Sequence, residues 1–177
     1  MQYTTHYPSP LGAITLASNG NAIIGLWFDG QKYDRSILTS ECREQDFPIF
    51  AEAVKWLDCY FAGEEPDFTP ALTLDCSTFR REVLEILKRI PYGQITTYGE
   101  IAKEIARKHG LPKMSAQAVG GAVGWNPISL IIPCHRVVGT GGSLTGYGGG
   151  VQRKLALLKL EKVNTEALFI PKKGTAL

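Results

Sequence analysis

Apolar residues near the N-terminus fall in two short segments that predict a β-hairpin. Residues 12–18 and 21–28 are mainly apolar, and Asn19-Gly20 between them is a residue pair that tight hairpin turns favour. Farther along, apolar residues recur at helical spacing over residues 50–61, and Gly63 can end that helix. The first part of the chain is therefore predicted to combine strands with at least one helix.

From residue 77 onward the pattern becomes mainly helical. Apolar residues form one stripe over residues 79–90, with Ser77 or Thr78 as the cap and Pro91-Tyr92-Gly93 as the stop. Thr97 stands three residues before Glu100, which is the spacing of a capping box and predicts a helix over residues 98–108.

A third helix is predicted after the break at residues 109–112, where Ser115 can cap residues 116–123. This helix and the one over residues 98–108, joined by a tight turn, resemble a helix-turn-helix unit. The small residues of the helix over residues 116–123 would allow a partner's backbone to approach closely. Equally, they would allow tight packing inside the protein.

The rest of the chain predicts shorter elements. Residues 130–132 predict an apolar strand that leads into Pro133-Cys134-His135, a glycine-dense stretch follows over residues 139–150, and residues 151–160 predict the last helix.

The change from strand to helix pattern places a domain boundary near residue 75, after a polar, proline-containing connection at residues 64–69. We predict an α+β protein. Residues 1–75 form an N-terminal α/β domain with a small antiparallel sheet, and residues 76–177 form a mainly helical domain.

Charge divides the chain at nearly the same place. Residues 1–76 hold 4 basic and 11 acidic residues, whereas residues 77–177 hold 15 basic and 6 acidic residues. The formal net charge of +2 conceals this asymmetry. A basic half favours a polyanionic partner, nucleic acid first, although a merely solvated surface explains it equally well.

Composition excludes several classes of protein. No run of about 18 apolar residues exists to span a membrane, and the N-terminus lacks the basic start and apolar stretch of a signal peptide. Four cysteines stand far apart without a CxxC pair, which predicts reduced thiols in the cytoplasm. The three histidines are also scattered, so we expect no structural zinc site. We predict neither a metal site nor a cofactor.

Cys134 is the candidate nucleophile because His135 is adjacent to it and Arg136 adds positive charge. A cysteine attacks only as its thiolate, so it needs a base or a positive environment. In an extended segment the two side chains point apart, and His135 can then act only through a bend or a water. A third group must orient the imidazole. The candidates are Glu82, Glu85, Glu100, Glu104, Glu161 and Glu166. Alternatively, Cys134 is a small buried core residue.

Residues 132–137, Ile-Pro-Cys-His-Arg-Val, resemble the active-site signature of the O6-alkylguanine-DNA alkyltransferases, also called methylated-DNA–protein-cysteine methyltransferases. The resemblance covers residues 77–162 closely and residues 1–76 weakly. It implies a ribonuclease-H-like N-terminal domain and a winged helix-turn-helix C-terminal domain that carries the active-site cysteine. Further segments match at family-like spacings: Pro91-Tyr92-Gly93, Thr97-Tyr98-Gly99-Glu100, residues 118–122, Asn126-Pro127, Thr145-Gly146-Tyr147 and Gly149-Gly150.

The resemblance also implies catalytic roles. Cys134 would accept the alkyl group, His135 would act as its base through a bridging water, and Glu161 would orient His135. Asn126 would hold the turn between the recognition helix and an active-site strand. Tyr98 would donate a proton or a hydrogen bond to the departing guanine.

Substrate and DNA contacts follow from the same resemblance. Tyr147 and Gly148 would line the alkyl pocket, and the carbonyls of Cys134 and Val137 would accept from the exocyclic amine of the base. The implied substrate-binding residues are Val137, Tyr147, Gly148, Ser129 and Trp125. The implied DNA-binding residues are Ser115, Ala116, Gln117, Gly120, Arg136 and Thr97.

The implied partner is double-stranded DNA that carries O6-alkylguanine. A monomer would contact the minor groove and flip the damaged nucleotide out, because a stacked base hides its O6 substituent from a side chain. O4-alkylthymine is a further expected lesion. The product, a thioether on Cys134, has no route back, so we expect one repair per molecule.

One position departs from the family pattern. Many members carry an arginine in the recognition helix, where it replaces the flipped base in the stack, and this chain has Gln117. This difference affects the flipping of the damaged base and the affinity for duplex DNA rather than the alkyl-transfer reaction.

Three other functions compete with this interpretation. Alkyltransferase-like proteins bind alkylated bases without transfer, but they lack the acceptor that Cys134 supplies. A cysteine hydrolase would turn over repeatedly and would not need a basic helix pair. Regulatory relatives carry an additional cysteine-rich metal domain, and this sequence contains no such pattern.

Overall fold

The computed structural model of the chain describes residues 1–33 and 35–171. The chain divides into two compact units. The first consists of Met1–Asp75 with Pro127–Ile131, and the second of Cys76–Asn126 with Ile132–Leu177. Residues 172–177 of the predicted second domain lie outside the described residues. The sequence pattern did not predict that residues 127–131 belong to the first unit.

The first unit contains a four-stranded sheet and one helix, with the bounds β1 Gln2–Ser9, β2 Gly12–Ser18, β3 Ile23–Phe28, β4 Cys42–Glu44 and α1 Pro48–Phe61. The strand order is β3-β2-β1-β4, in which β1, β2 and β3 are antiparallel and β4 runs parallel to β1. At the predicted hairpin turn, the Asn19 side chain accepts from the N–H groups of Asn21 and Ala22, and Gly20 has a φ of +98°. All six residues of β3 are buried.

Segment 127–131 bonds to the backbone of β3. The Leu26 N–H donates to the Pro127 carbonyl at 2.8 Å, and the Ser129 N–H donates to the Leu26 carbonyl at 2.9 Å. The predicted strand over residues 130–132 is wrong, because these residues form turns and bends. Leu130 has a φ of +68°, which lies in the left-handed region and interrupts any extended ladder.

The second unit is mainly helical, with the bounds α2 Thr78–Lys88, β5 Thr96–Thr97, α3 Tyr98–Lys108, α4 Ala116–Gly124, β6 Val137–Val138 and α5 Val151–Leu160. Strands β5 and β6 pair in parallel. Side chains cap three helices as the sequence predicts. Ser77 caps α2, Thr97 and Glu100 form the capping box of α3, and Ser115 caps α4.

The predicted α+β class is confirmed by these elements. Apolar side chains from β6, the glycine-rich stretch and α5 form one core cluster of the second unit, which contains Val138, Leu144 and Leu158. Within residues 1–33 and 35–171, no helix combines the length and apolar character needed to cross a membrane.

Candidate active site

Cys134 begins a single turn of 3-10 helix over Cys134–Arg136, which we call the cysteine turn. The Cys134 N–H donates to the Ile132 carbonyl at 2.8 Å, and the Arg136 N–H donates to the Pro133 carbonyl at 3.0 Å. The strand expected to lead into Cys134 is therefore wrong, whereas the bend that the sequence left open as one route for His135 is present. The chain bends at the cysteine, and Cys134 and His135 are both buried, with exposed fractions of 6% and 0%.

His135 pairs with Glu161, which directly follows α5. The two atoms His135 Nε2 and Glu161 Oε1 are 2.6 Å apart, and neither side chain is exposed. A carboxylate only accepts, so Nε2 carries the proton and Nδ1 keeps the lone pair of the neutral ring. Of the six glutamates that the sequence left open, Glu161 is the one that bonds to His135 in the structure.

The two side chains of this pair differ in charge at neutral pH. Burial lowers the pKa of His135, opposed by Glu161 and reinforced by the charges of Arg136 and Lys154. Burial alone would raise the pKa of Glu161, but hydrogen bonds and charges from His135 and Arg136 hold it at about 2. At neutral pH the pair is thus a neutral imidazole beside a carboxylate, which is the state that a general base requires.

Arg136 points inward and completes this network. Its Nε and Nη2 donate to the two carboxylate oxygens of Glu161 at 2.8 and 3.1 Å, and its Nη1 donates to the Ile90 carbonyl at 2.6 Å. Only 10% of the side chain is exposed. This placement argues against the predicted role of Arg136 in binding DNA, because the donors that would meet a phosphate already serve Glu161 and Ile90.

Asn126 lies just after α4, and its side-chain amide joins two parts of the site. Nδ2 donates to the Ile132 carbonyl at 2.7 Å, which ties the end of α4 to the segment that enters the cysteine turn. Burial raises the pKa of the Cys134 thiol. A hydrogen bond from Asn126, the charge of Lys154 and the backbone N–H groups of Cys134 and His135 act in the opposite direction. The resting group is therefore a thiol surrounded by groups that favour its thiolate.

Tyr98 opens α3 and reaches the glycine-rich stretch. Its hydroxyl donates to the Thr145 carbonyl at 2.9 Å. Burial, followed by the charge of Cys134, raises the pKa of Tyr98 well above its ordinary value. Gly146 has a φ of +76°, and a Cβ at this position would meet the Tyr98 hydroxyl oxygen. Only glycine permits this approach.

Gly146→Ala is expected to disrupt this contact. The added methyl group must displace the Tyr98 ring or the loop, so we expect a loss of unfolding free energy above about 1 kcal/mol and slower chemistry at Cys134. Chemical denaturation measures the first effect. Gly141→Ala is the matched control, because Gly141 has a similar φ of +71° but open space around its Cβ position. Equal losses in the two variants would contradict a specific role for the Tyr98 contact.

Tyr147 is buried beside the cysteine turn. Its ring lies edge-on to that of His135 with a centroid distance of 6.5 Å, and a Cβ on Gly149 would meet the Tyr147 ring at 2.6 Å. The Tyr147 hydroxyl has no hydrogen-bond partner within the described part of the chain. A buried hydroxyl without a partner indicates a place that a polar ligand or a water can occupy.

The residues predicted to bind DNA fall into two groups. Ser115, Ala116 and Gln117 are exposed at the start of α4, and Gly120 lies one turn farther along. A Cβ at Gly120 would be in ordinary contact with the Tyr98 ring, at 3.8 Å. The Thr97 side chain caps α3, because its hydroxyl accepts from the Glu100 N–H at 3.1 Å.

The remaining predicted substrate residues are more dispersed. Trp125 follows α4, and the Arg80 guanidinium lies 4.3 Å from the centroid of its ring. Val137 is fully buried in β6. Gly148 is partly buried in the glycine-rich stretch. Ser129 belongs to the first unit, where its buried hydroxyl accepts from the Gln31 side chain at 3.4 Å.

Two further groups serve the site without having been predicted. The Gly93 N–H donates to Glu161 Oε2 at 3.2 Å, and Lys154 is fully buried on α5. The sequence does contain a signal for Lys154, because it stands three and four residues before Leu157 and Leu158 on the inward stripe of α5. In residues 1–33 and 35–171, no three His, Cys, Asp or Glu side chains are grouped to hold a metal ion.

Two family models match the chain. Residues 2–76 match the model described as 6-O-methylguanine DNA methyltransferase, ribonuclease-like domain, and residues 78–163 match the model described as 6-O-methylguanine DNA methyltransferase, DNA binding domain. The predicted order of a ribonuclease-like domain followed by a helical DNA-binding domain is thereby confirmed.

Individual relatives agree with these matches. A methylated-DNA–protein-cysteine methyltransferase of Mycobacterium tuberculosis (strain H37Rv) is 45% identical over 159 residues, covering 90% of this chain and 92% of the relative. One of Haemophilus influenzae, with the same name, is 39% identical over 162 residues, covering 91% and 87%. The crystal structure of Mycobacterium tuberculosis OGT in complex with DNA has a TM-score of 0.76 at 42% identity, covering 91% of this chain and 92% of that one.

Proposed function

Because the chain belongs to the 6-O-methylguanine DNA methyltransferase family and thus repairs DNA by direct reversal, through alkyl transfer to a cysteine of its own, we propose that this cysteine is Cys134. The observation that carries the proposal is the bend at the cysteine turn, which buries Cys134 next to the His135–Glu161 pair. In the structure the other three cysteines, Cys42, Cys59 and Cys76, are also free but only partly buried.

The proton of the Cys134 thiol moves first. A bridging water accepts it and passes a proton to Nδ1 of His135, the nitrogen that keeps the lone pair. Glu161 stabilises the imidazolium that forms, because its carboxylate stays ionised far below neutral pH. The base therefore gains a charge beside an existing opposite charge rather than in an apolar cavity.

The thiolate then attacks the alkyl carbon on O6 of guanine. The new S–C bond forms as the C–O6 bond breaks, and the electron pair of that bond remains on the guanine. The guanine then takes up one proton from water, and the His135 imidazolium gives back the proton that came from the thiol. The product is a thioether, which carries neither charge nor a labile proton. No residue of the site can reverse this step, so each molecule repairs one lesion.

Tyr98 assists the departing guanine by donating a hydrogen bond. Its raised pKa keeps the phenol protonated, which favours hydrogen bonding over full proton transfer. In the structure the same hydroxyl bonds to the Thr145 carbonyl, so Tyr98 exchanges this acceptor for the guanine when the base enters.

The base occupies a pocket formed around the cysteine turn. The Cys134 and Val137 carbonyls accept from the exocyclic amine, Tyr147 and Gly148 line the alkyl group, and Trp125 contributes a farther contact. The buried, unpartnered Tyr147 hydroxyl supports a polar occupant here. O6-alkylguanine fits these donors and acceptors, and O4-alkylthymine is the second lesion we propose.

Duplex DNA meets the exposed start of α4, and the damaged nucleotide flips out of the minor groove. The small exposed side chains at Ser115 and Ala116 support this placement, because they permit a close approach to the groove. We further propose that the protein acts as a monomer in the cytoplasm, where its four free cysteines stay reduced. The domain bounds 1–75 and 76–177 belong to the same proposal.

Gln117→Arg is expected to tighten binding to duplex DNA or to speed repair. Gln117 is exposed on α4, and an arginine there adds a charge near phosphates and a larger planar group to fill the gap left by the flipped base. Affinity for a lesion duplex and the single-turnover rate measure the effect. The same measurements on a single-stranded substrate are the control. Unchanged or slower repair of the duplex would refute this role for the position.

The proposed transfer is tested with a duplex that carries a radiolabelled methyl group on O6 of guanine. With DNA in excess, label should appear on the protein in an amount equal to the protein and then stop. Continued release of labelled product would indicate a hydrolase, and binding without label on the protein would indicate a module that only recognises the lesion.

A further inference from the structure

Residues 163–171, which we call the tail segment, pack against the glycine-rich stretch. The Phe169 N–H donates to the Gly142 carbonyl at 3.1 Å, and the Leu144 N–H donates to the Phe169 carbonyl at 2.9 Å. These two bonds form a parallel β-bridge in which Phe169 is paired with Ser143. The tail segment is therefore bound to the glycine-rich stretch through backbone on both sides of Ser143.

Side chains reinforce this β-bridge. Val163 and Leu168 pack against the core cluster that contains Leu144, and Leu144 itself is only 1% exposed. Gly142 has a φ of +91°, and a Cβ at this position would overlap the Ala167 carbonyl oxygen. A residue other than glycine at position 142 would therefore push the tail segment away.

Most of the tail segment lies beyond the matched DNA-binding domain, which ends at residue 163. The glycine-rich stretch, in contrast, lies inside that domain. The roles that the family resemblance implies therefore include none for residues 164–171, although these residues hold part of the loop that forms the proposed pocket.

The tail segment is connected to the proposed pocket by a short stretch of backbone. Leu144, whose N–H it binds, directly precedes Thr145. The Thr145 carbonyl accepts from the Tyr98 hydroxyl at 2.9 Å and from Lys154 Nζ at 2.7 Å. Tyr147, which lines the alkyl group in the proposed function, follows two residues later. The backbone that leads to this wall of the pocket is thus held twice, first by the tail segment and then by Tyr98 and Lys154.

We propose that residues 167–169 position the glycine-rich stretch and thereby limit the size of the alkyl group that Cys134 accepts. A methyl group needs little space beside the sulfur. A larger group such as benzyl requires the wall that contains Tyr147 to move outward. The tail segment opposes this movement, because the hydrogen bonds of the β-bridge and the packing of Leu168 would have to break. This inference rests on the proposed transfer to Cys134.

Truncation of the chain tests the size limit. A chain that ends at Thr165 lacks the β-bridge but keeps α5 and Glu161, whereas a chain that ends at Pro171 keeps Phe169 and is the matched control. Single-turnover rates are measured on duplex DNA that carries O6-methylguanine or O6-benzylguanine. In the shorter chain the ratio of the benzyl rate to the methyl rate should rise about tenfold. The control should keep the ratio of the full chain.

A purely structural role makes a different prediction. If the tail segment only stabilised the fold, its removal would slow both reactions by the same factor, and an unchanged ratio would overturn the proposal. If the protein took up no alkyl group at all, the proposed function and the size limit would both fail. An unchanged ratio in a protein that does transfer would refute the size limit alone.

Gly142→Ala covers the case in which the shorter chain does not fold. The added methyl group displaces Ala167 in the full chain, so the benzyl-to-methyl ratio should rise here also. Gly141→Ala is the control, since Gly141 shares a positive φ but has no atom of the tail segment near its Cβ position. Equal ratios in these two variants would contradict the proposal.

Chemical denaturation tests the underlying contact without DNA. In the full chain, Gly142→Ala should lower the denaturant midpoint more than Gly141→Ala does. In the chain that ends at Thr165 the two substitutions should lower it by similar amounts, because the Ala167 oxygen is gone. A difference that persisted in the shorter chain would show that the tail segment does not hold the glycine-rich stretch at Gly142.

Discussion

Replacing Glu161 with glutamine is expected to slow alkyl transfer on the order of 10²- to 10⁴-fold and to reduce the free energy of unfolding by about 3–5 kcal/mol. The rate falls because a glutamine amide can donate to Nε2, which moves the ring proton to Nδ1 and removes the lone pair that accepts from the thiol. Stability falls because the buried Arg136 guanidinium loses its carboxylate partner.

Single-turnover kinetics and chemical denaturation separate these two effects. Glu166→Gln provides the control, since Glu166 is exposed and lies five residues farther along the chain. A folded Glu161→Gln protein that transferred at the wild-type rate would remove Glu161 from the mechanism.

The same carboxylate gives a pH dependence of stability with a defined direction. Its pKa is about 2 in the folded protein and 4.5 as the ordinary value, so the unfolded state binds the proton more tightly. The contribution is fully present above pH 4.5 and is lost as the pH falls toward 2, about 3 kcal/mol in all. Unfolding free energies across this range should therefore fall less steeply in Glu161→Gln than in the wild type.

Cys134→Ala is expected to abolish transfer while lesion binding persists. The change removes the sulfur atom that forms the new bond, but it leaves the exposed start of α4 in place. A binding titration with lesion DNA and a transfer assay on the same preparation measure the two properties. Any remaining transfer in Cys134→Ala would mean that another cysteine accepts the alkyl group. A matched Cys76→Ala variant, which alters a partly buried cysteine outside this site, should behave as the wild type.

Local sequence signals predicted the helices of the second unit because their ends are set by side chains close in sequence. Ser115 caps the helix that it precedes, and Thr97 and Glu100 form the capping box that their spacing indicates. Helix α5 begins and ends where its pattern does. In these places the interaction that decides the structure lies within one turn, so the sequence displays it.

The cysteine turn was not predictable in the same way. An apolar run before Pro133 fits a strand by composition, and its actual geometry depends on the positive φ of Leu130 and on the Asn126 bond to Ile132. Arg136 presents the same difficulty. The family resemblance implied DNA contact, whereas the side chain turns inward because Glu161, 25 residues away, offers it a carboxylate.

The residues that act on Cys134 thus come from four separated parts of the second unit. Asn126 follows α4, His135 lies in the cysteine turn, Lys154 lies on α5, and Glu161 follows that helix. The family resemblance supplied Asn126, His135 and Glu161 as candidates, but only the fold shows which of their atoms meet. It also adds Lys154, whose burial depends on the packing of α5 rather than on any motif.

Mass spectrometry of the intact protein, after reaction with excess duplex DNA that contains O6-methylguanine, distinguishes a single irreversible transfer to Cys134 from every other outcome. We expect a mass increase of one methyl group per chain, with the methyl group on the peptide that carries Cys134 and the guanine restored in the DNA. An unchanged protein mass, a methyl group on another residue, or repair of several lesions by each molecule would contradict it.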